Sequence, residues 1–262
     1  LPQLVTEVLA IIDDGEMEIS RIVDKISRDQ VLTARVLKVA NSPYYGYSRC
    51  IDSLKDAGVM LGIHTLRDIV LTAAVVSRFP LDEARALDRR ELWHHAEMTG
   101  IIARLLAGWR GLDRESAFTA GLLHDIGKLA LDACFPEVYR RIFYYRAEQQ
   151  CSLLEAEAAL LGFDHCQAGL RLAQHWQLPQ QICEAIEKHH APNVDPHSSS
   201  ADLIHVADGL SRHLERGKEG EASSLIISNH ALERLGLEER FIDEWREELG
   251  PIAPDADTLF TH

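Results

Sequence analysis

Apolar residues recur three and four positions apart along almost the whole chain, and strict two-residue alternation is nearly absent. Ile19, Ile22, Val23 and Ile26 make one such stripe, and Leu66, Ile69, Val70 and Ala73 make another. Spacing of that kind puts apolar side chains on one face of a helix, whereas a half-buried strand would need a period of two. The breaks between stripes are also helical in character. Asn41-Ser42-Pro43 ends one helix, Leu61-Gly62 ends a second, and Leu178-Pro179 separates two more. Thr65 followed by Asp68 resembles a capping box at a helix start, with Asp in the usual place of Glu. The expectation is an all-α protein.

A chain of 262 residues, 46% hydrophobic, is long enough for a large core and sits near the length at which one core gives way to two. A two-lobed helical bundle follows. Its boundary is placed in the polar stretch 82–90, giving an N-terminal lobe of residues 1–86 and a second lobe, with a C-terminal extension, of residues 87–262. Residues 191–200 read as a loop, and the tail from Gly250 as poorly packed. The chain begins at Leu1, not Met, so a segment of a longer protein is expected. No apolar run approaches the roughly 18 residues of a membrane span, and no signal-peptide pattern opens the chain.

The formal charge of −14 makes the surface a poor match for phosphate backbones, so nucleic acid is not an expected partner. Five scattered cysteines without CxxC spacing suggest a reduced protein in the cytoplasm.

Histidine is where the chemistry gathers. His124-Asp125-Ile126-Gly127-Lys128 follows an apolar run. Adjacent His and Asp can hold one cation together, and the second carboxylate oxygen can reach another. Gly127 would let the chain turn sharply behind them, and Lys128 could approach a phosphate oxygen. Glu91 and His95 lie four apart, on one helical face, as two ligands of one ion often do. His94 is near that face too, and spacing does not choose between them. His165 opens a helix, His189-His190 closes one, and Asp208 is a carboxylate embedded in the apolar helical stretch 203–210, where leaving it unpaired would be costly. Each has an ordinary explanation as a helix-end or surface residue, and Asp208 could simply pair with Arg212. Their joint occurrence in this order is the informative fact. Of the remaining histidines, only His205, one turn from Asp208, is a further candidate.

Residues 29–46 (DQVLTARVLKVANSPYYG) resemble the signature of HDOD domains, and Leu61-Gly62 fits the same family. The second lobe, with Leu92-Trp93, His124-Asp125, His165, His189-His190 and Asp208, is similar to the HD phosphohydrolase superfamily and its HD-GYP branch. That resemblance implies a first metal held by His95, His124, Asp125 and Asp208, with His95 preferred over His94. It implies a second metal, bridged by Asp125, on His165, His189 and His190. Glu91 would match an extra carboxylate of three-metal sites, and Lys128 a phosphate-facing lysine. Many HDOD domains lack such ligands, whereas here the set is complete. After His190 the chain reads Ala-Pro-Asn-Val-Asp, without the Gly-Tyr-Pro of HD-GYP enzymes, which counts against cyclic di-guanylate hydrolysis.

The expected cofactors are therefore two divalent ions, Fe or Mn by the oxygen and imidazole donors. The expected function is a bacterial signal-transduction output domain hydrolysing a phosphoester or phosphodiester of a nucleotide-type ligand, with Asp125 and Lys128 as the catalytic pair. The alternative is a non-catalytic HDOD module that binds metal or ligand and regulates a partner protein. A small phosphorylated ligand and a signalling partner, or an upstream regulatory domain, are the expected partners.

Overall fold

The computed structural model describes residues 19–41, 51–76, 78–79, 85–192, 199–216 and 227–237. Among these residues every regular element is helical and there is no strand. The described residues through Phe79 belong to one compact unit and those from Arg85 onward to another.

The first unit holds α1 (Ile19–Ile26), α2 (Gln30–Ala40), α3 (Leu54–Leu61) and α4 (Ile63–Val76). The sequence stripes face inward: Ile22, Ile26, Leu66 and Val70 have no solvent exposure. Helix α2 packs on α4, and α1 on α3. Gly62 ends α3 at φ +83°, a conformation that costs a glycine nothing. The capping box expected at Thr65 is not the start of α4, which begins at Ile63, with the Leu66 amide donating to the Gly62 carbonyl. Asp68 lies within the helix, 8% exposed. The local Thr-x-x-Asp pattern loses to the glycine break, which fixes the start two residues earlier.

Asn41, immediately after α2, ties the chain to itself. Its amide Nδ2 donates to the carbonyls of Leu37 (2.8 Å) and Ile51 (2.6 Å), and its Oδ1 accepts from the Ile51 amide (2.7 Å). One side chain thus adds a second donor to a helix-end carbonyl that already accepts the Asn41 amide, and satisfies both backbone groups of a residue ten positions on.

The second unit is built on α5 (Arg89–Arg110), a 22-residue helix capped by Asp88, whose carboxylate accepts from the amides of Arg90 and Glu91. It is followed by α6 (Arg114–Leu123), α7 (Ile126–Cys134), α8 (Pro136–Gln149), α9 (Leu153–Leu161), α10 (His165–His175), α11 (Gln180–Lys188), α12 (Ser199–Arg216) and α13 (Asn229–Arg234). Helix α5 packs against α6 and α12, α7 against α10, and α11 against both α10 and α12. The break at Leu178-Pro179 separates α10 from α11 as the sequence implies. No helix among the described residues is long and apolar enough to cross a membrane. The tail from Gly250 and most of the loop 191–200 lie outside the described residues.

Two expected outcomes follow. Asn41→Ala should cost about 1–2 kcal/mol in urea unfolding, since two of its partners are peptide groups of the buried Ile51. Glu97, only 2% exposed on α5, has its carboxyl pushed up to about 7 by burial. The folded state therefore holds this proton more tightly than the unfolded chain. The contribution is fully present below about 4.5 and is lost as pH rises through about 7. Glu97→Gln should accordingly raise the melting temperature at pH 8 and change it little at pH 5.

Candidate metal centre

Six segments of the second unit converge. Helix α5 brings His95, the α6–α7 junction brings His124 and Asp125, and α7 brings Lys128. The start of α10 brings His165, the end of α11 brings His189 and His190, and α12 brings Asp208. His95, His124, Asp125, Lys128, His165, His189 and Asp208 are all buried, and His190 is half-buried.

The Asp125 carboxylate is the hub. Its Oδ1 lies 3.4 Å from His165 Nε2 and 3.5 Å from His189 Nε2, and its Oδ2 lies 3.3 Å from His124 Nε2. Asp208 Oδ1 sits 2.8 Å from His95 Nε2 and 3.8 Å from His124 Nε2. The Nε2 atoms of His165 and His190 are 3.2 Å apart. Two ligands of one ion, each about 2.0–2.2 Å from it, stand roughly 3–3.5 Å apart. Many of these separations are of that size. The atoms also fall into ligand-sized groups, among them His95–His124–Asp208 and His124–Asp125–His189.

The histidine tautomers suit a cation. His124 Nδ1 lies 2.6 Å from the Gly121 carbonyl, and His189 Nδ1 lies 3.0 Å from that of Ile186. Each Nδ1 must donate there, which leaves Nε2 as the ring nitrogen turned inward, carrying a lone pair on the neutral His124. His124 Nε2, His189 Nε2 and Asp125 Oδ1 are buried with no hydrogen-bond partner. Unsatisfied polar atoms facing one another at this depth are costly and call for an explanation. A divalent cation supplies one, and the residues fit it.

Electrostatics agree. Burial drives His124 toward neutrality and His165 strongly so, and with the help of His189 it takes His190 down to about 2. Burial would raise Asp125, but Lys128 and His124 outweigh it and hold the carboxyl well below the usual range. Asp208 is likewise ionised against the cost of burial, by His95 and Arg212. Burial also opposes charge on His189, but Cys166 and Asp125 overcome it and raise the imidazole to about 10. A cation taken up at that histidine must displace its proton.

The site also differs from expectation. Lys128 Nζ is 2.5 Å from Asp125 Oδ2 and only 7% exposed, so it is paired with the hub. Glu91 is exposed on the first turn of α5, and none of the ligand-sized groups among the described residues contains it. His95 turns inward and His94 is half-buried. Gly127 does not turn the chain by a positive φ. It lies where α7 meets α10, and a Cβ there would stand 1.8 Å from the His165 carbonyl oxygen. Gly121 does the same between α6 and α5, at 2.7 Å from the Gly100 Cα. His205 is a clamp: its Nδ1 donates to the His189 carbonyl (2.7 Å) and its Nε2 accepts from the Ser228 amide (3.0 Å).

Three participants carry no sequence signal of their own. Glu157 Oε2 takes the His165 ring Nδ1–H at 2.6 Å and the His165 backbone amide at 2.9 Å, and its Oε1 takes the Tyr139 hydroxyl at 3.0 Å. Carboxylates behind metal-binding histidines fix ring orientation in this way. The eight-residue separation from His165 is all that could have suggested it. Cys166 Sγ lies 4.0 Å from His189 Nδ1, so the histidine-rich side is not free of sulfur. Ser211 Oγ, 3.2 Å from His95 Nδ1, supports that ring from α12.

A model of the HDOD domain matches residues 1–192. The chain belongs to the HDOD family. An uncharacterized protein of Treponema pallidum is 30% identical over 196 residues, 72% of this chain and 37% of that protein. Ribonuclease Y of Thermus thermophilus is 28% identical over 143 residues, 55% of this chain and 20% of that enzyme. The chain thus spans well under half the length of these curated relatives. Among solved structures, an HDOD domain protein of unknown function from Geobacter sulfurreducens superposes with TM-score 0.81 at 28% identity, covering 100% of this chain and 93% of that one. A Shewanella amazonensis SB2B protein named "Putative phosphohydrolase" gives 0.80 at 28% identity, covering 99% and 94%.

Glu157→Gln keeps the size and removes the charge behind His165. It should weaken Mn(II) binding by roughly 10- to 100-fold, read by titration against a fluorescent chelator. Unchanged affinity would mean that Glu157 serves packing only.

Proposed function

We propose that this HDOD chain is a signal-transduction output protein whose second unit hydrolyses a phosphoester or phosphodiester of a nucleotide-type ligand at a pair of divalent cations. The observation that carries the reading is the Asp125 carboxylate, whose Oδ1 faces the Nε2 atoms of His165 and His189 while its Oδ2 faces that of His124. His95, His124, Asp125 and Asp208 would hold one cation; Asp125, His165, His189 and His190 would hold the other. The donors are mainly imidazole and carboxylate, which suits Fe or Mn. When bound, the pair would supply Lewis acidity at phosphoryl oxygens and hydroxide near neutral pH.

The remaining work belongs to the chain. Lys128 keeps Asp125 ionised in the absence of metal, and its ammonium is the buried charge nearest to hand for offsetting negative charge that develops on phosphorus oxygens. Glu157 and Ser211 hold two of the imidazoles in register. The likeness to a protein named as a phosphohydrolase, and over part of the chain to a ribonuclease, supports phosphorus–oxygen bond cleavage as the chemistry. A second reading rests on the Lys128–Asp125 pair itself. With Lys128 buried and already engaged, the site would bind a metal or ligand and signal to a partner protein without turnover.

Purified wild type supplied anaerobically with Fe(II) or Mn(II) should release product from phosphate esters. Asp125→Asn should empty at least one metal position. Lys128→Ala should keep near wild-type metal while cutting turnover at least tenfold, about 1.4 kcal/mol of barrier. Wild type that is inactive on linear and cyclic dinucleotides, mononucleotides and a chromogenic diester alike would leave the signalling module as the function.

A further inference from the structure

Among the described residues around the cluster, a cation stands between the buried carboxylates and solvent. Arg212 lies one helical turn beyond Asp208 on α12. Its Nε donates to Asp208 Oδ1 at 2.8 Å, and its Nη2 is 3.9 Å from Asp125 Oδ2. Asp125 and Asp208 have side chains 2% and 7% exposed, whereas the Arg212 side chain is 36% exposed. Apart from His190, the proposed ligands are buried. An anion approaching from solvent therefore meets the Arg212 guanidinium before it meets Asp125 or Lys128. The guanidinium edge made by Nε and Nη2 is the one turned toward the carboxylates. The guanidinium also carries N–H donors along its Nη1–Nη2 edge, and an edge of that kind matches a phosphate in two parallel hydrogen bonds, a match that a lysine cannot make.

We infer that Arg212 is the residue that receives the phosphate group of the ligand at the mouth of the metal centre. The inference rests on the function proposed above and adds a recognition element to it: the ligand presents an anionic phosphate, read at its edge by a planar fork. The same position gives Arg212 a second, opposite effect. It shares Asp208 with any cation held there, so it competes with metal while it attracts the anion. Removing it should ease metal binding and weaken phosphate binding. A residue that merely supported the fold would weaken both.

The test uses the purified chain with Mn(II) and inorganic phosphate as probes. Manganese affinity and content are measured first, then calorimetric binding of phosphate to the loaded protein. Arg212→Ala should bind Mn(II) as tightly as wild type or more so, and bind phosphate at least tenfold more weakly. Arg212→Lys, keeping the charge without the fork, should fall between. Arg212→Gln keeps part of the aliphatic stem without the charge and repeats the comparison should the alanine variant unfold. Phosphate affinity within twofold of wild type in a variant loaded with Mn(II) would overturn the role of Arg212 and leave the proposed function standing. Loss of Mn(II) from the folded variants, or failure of all three to fold, would make Arg212 a support for Asp208 and overturn the inference. Wild type that takes up Mn(II) but binds no phosphate would overturn this inference, while the proposed function is decided separately by turnover of the phosphate esters.

Discussion

An ionised carboxylate buried away from water costs several kcal/mol unless charges and donors repay the lost hydration. Asp125 is such a group, and the second unit is arranged around holding it. Lys128 comes from the following turn, His124 from the preceding residue, and His165 and His189 from helices far along the chain. Asp208 repeats the problem on α12 and solves it with His95 and Arg212. Two buried negative charges about one ring of imidazoles are hard to account for as packing alone. They are what a cation site requires before any cation arrives.

The supporting layer shows how the geometry is kept. His165 is held by Glu157, which is held in turn by Tyr139, whose hydroxyl is fully buried and whose own ionisation is suppressed by burial and by that carboxylate. His189 is fixed through its ring to α11 and through its carbonyl to His205 on α12. The chain from Tyr139 through Glu157 and His165 to Asp125 links three helices and the α6–α7 junction through polar groups. Substitutions there would act on ring orientation, at a distance from any ligand.

Much of this was legible in the sequence, because helical periodicity and ligand identity are local properties. The stripes through Ile22 and Leu66 and the stops at Leu61-Gly62 and Leu178-Pro179 follow from residue type and spacing. The grouping of His95, His124, Asp125, His165, His189, His190 and Asp208 was instead implied by the resemblance to HD enzymes, which also preferred His95 where spacing left His94 open. What was not legible depends on which helix faces which. Glu157 reads as one more acidic residue in an Ala- and Leu-rich helix, and Cys166 as a small core residue. Glu91 was drawn toward the site by its four-residue spacing from His95, yet it is exposed while His95, one turn on, is buried. His205 carried a ligand's spacing and turned out to be tied to backbone at both ring nitrogens.

The crossing of α7 and α10 at Gly127 has a consequence for how this family changes over time. No side chain fits there, whatever the pocket does, because the obstacle is the His165 backbone. A descendant that exchanged its histidines for other residues would still need that glycine to stay folded. The glycine of a His-Asp-x-Gly segment therefore testifies to the architecture, while the side chains of the histidines alone testify to the chemistry. A relative that has fallen silent as an enzyme would keep the first mark and lose the second.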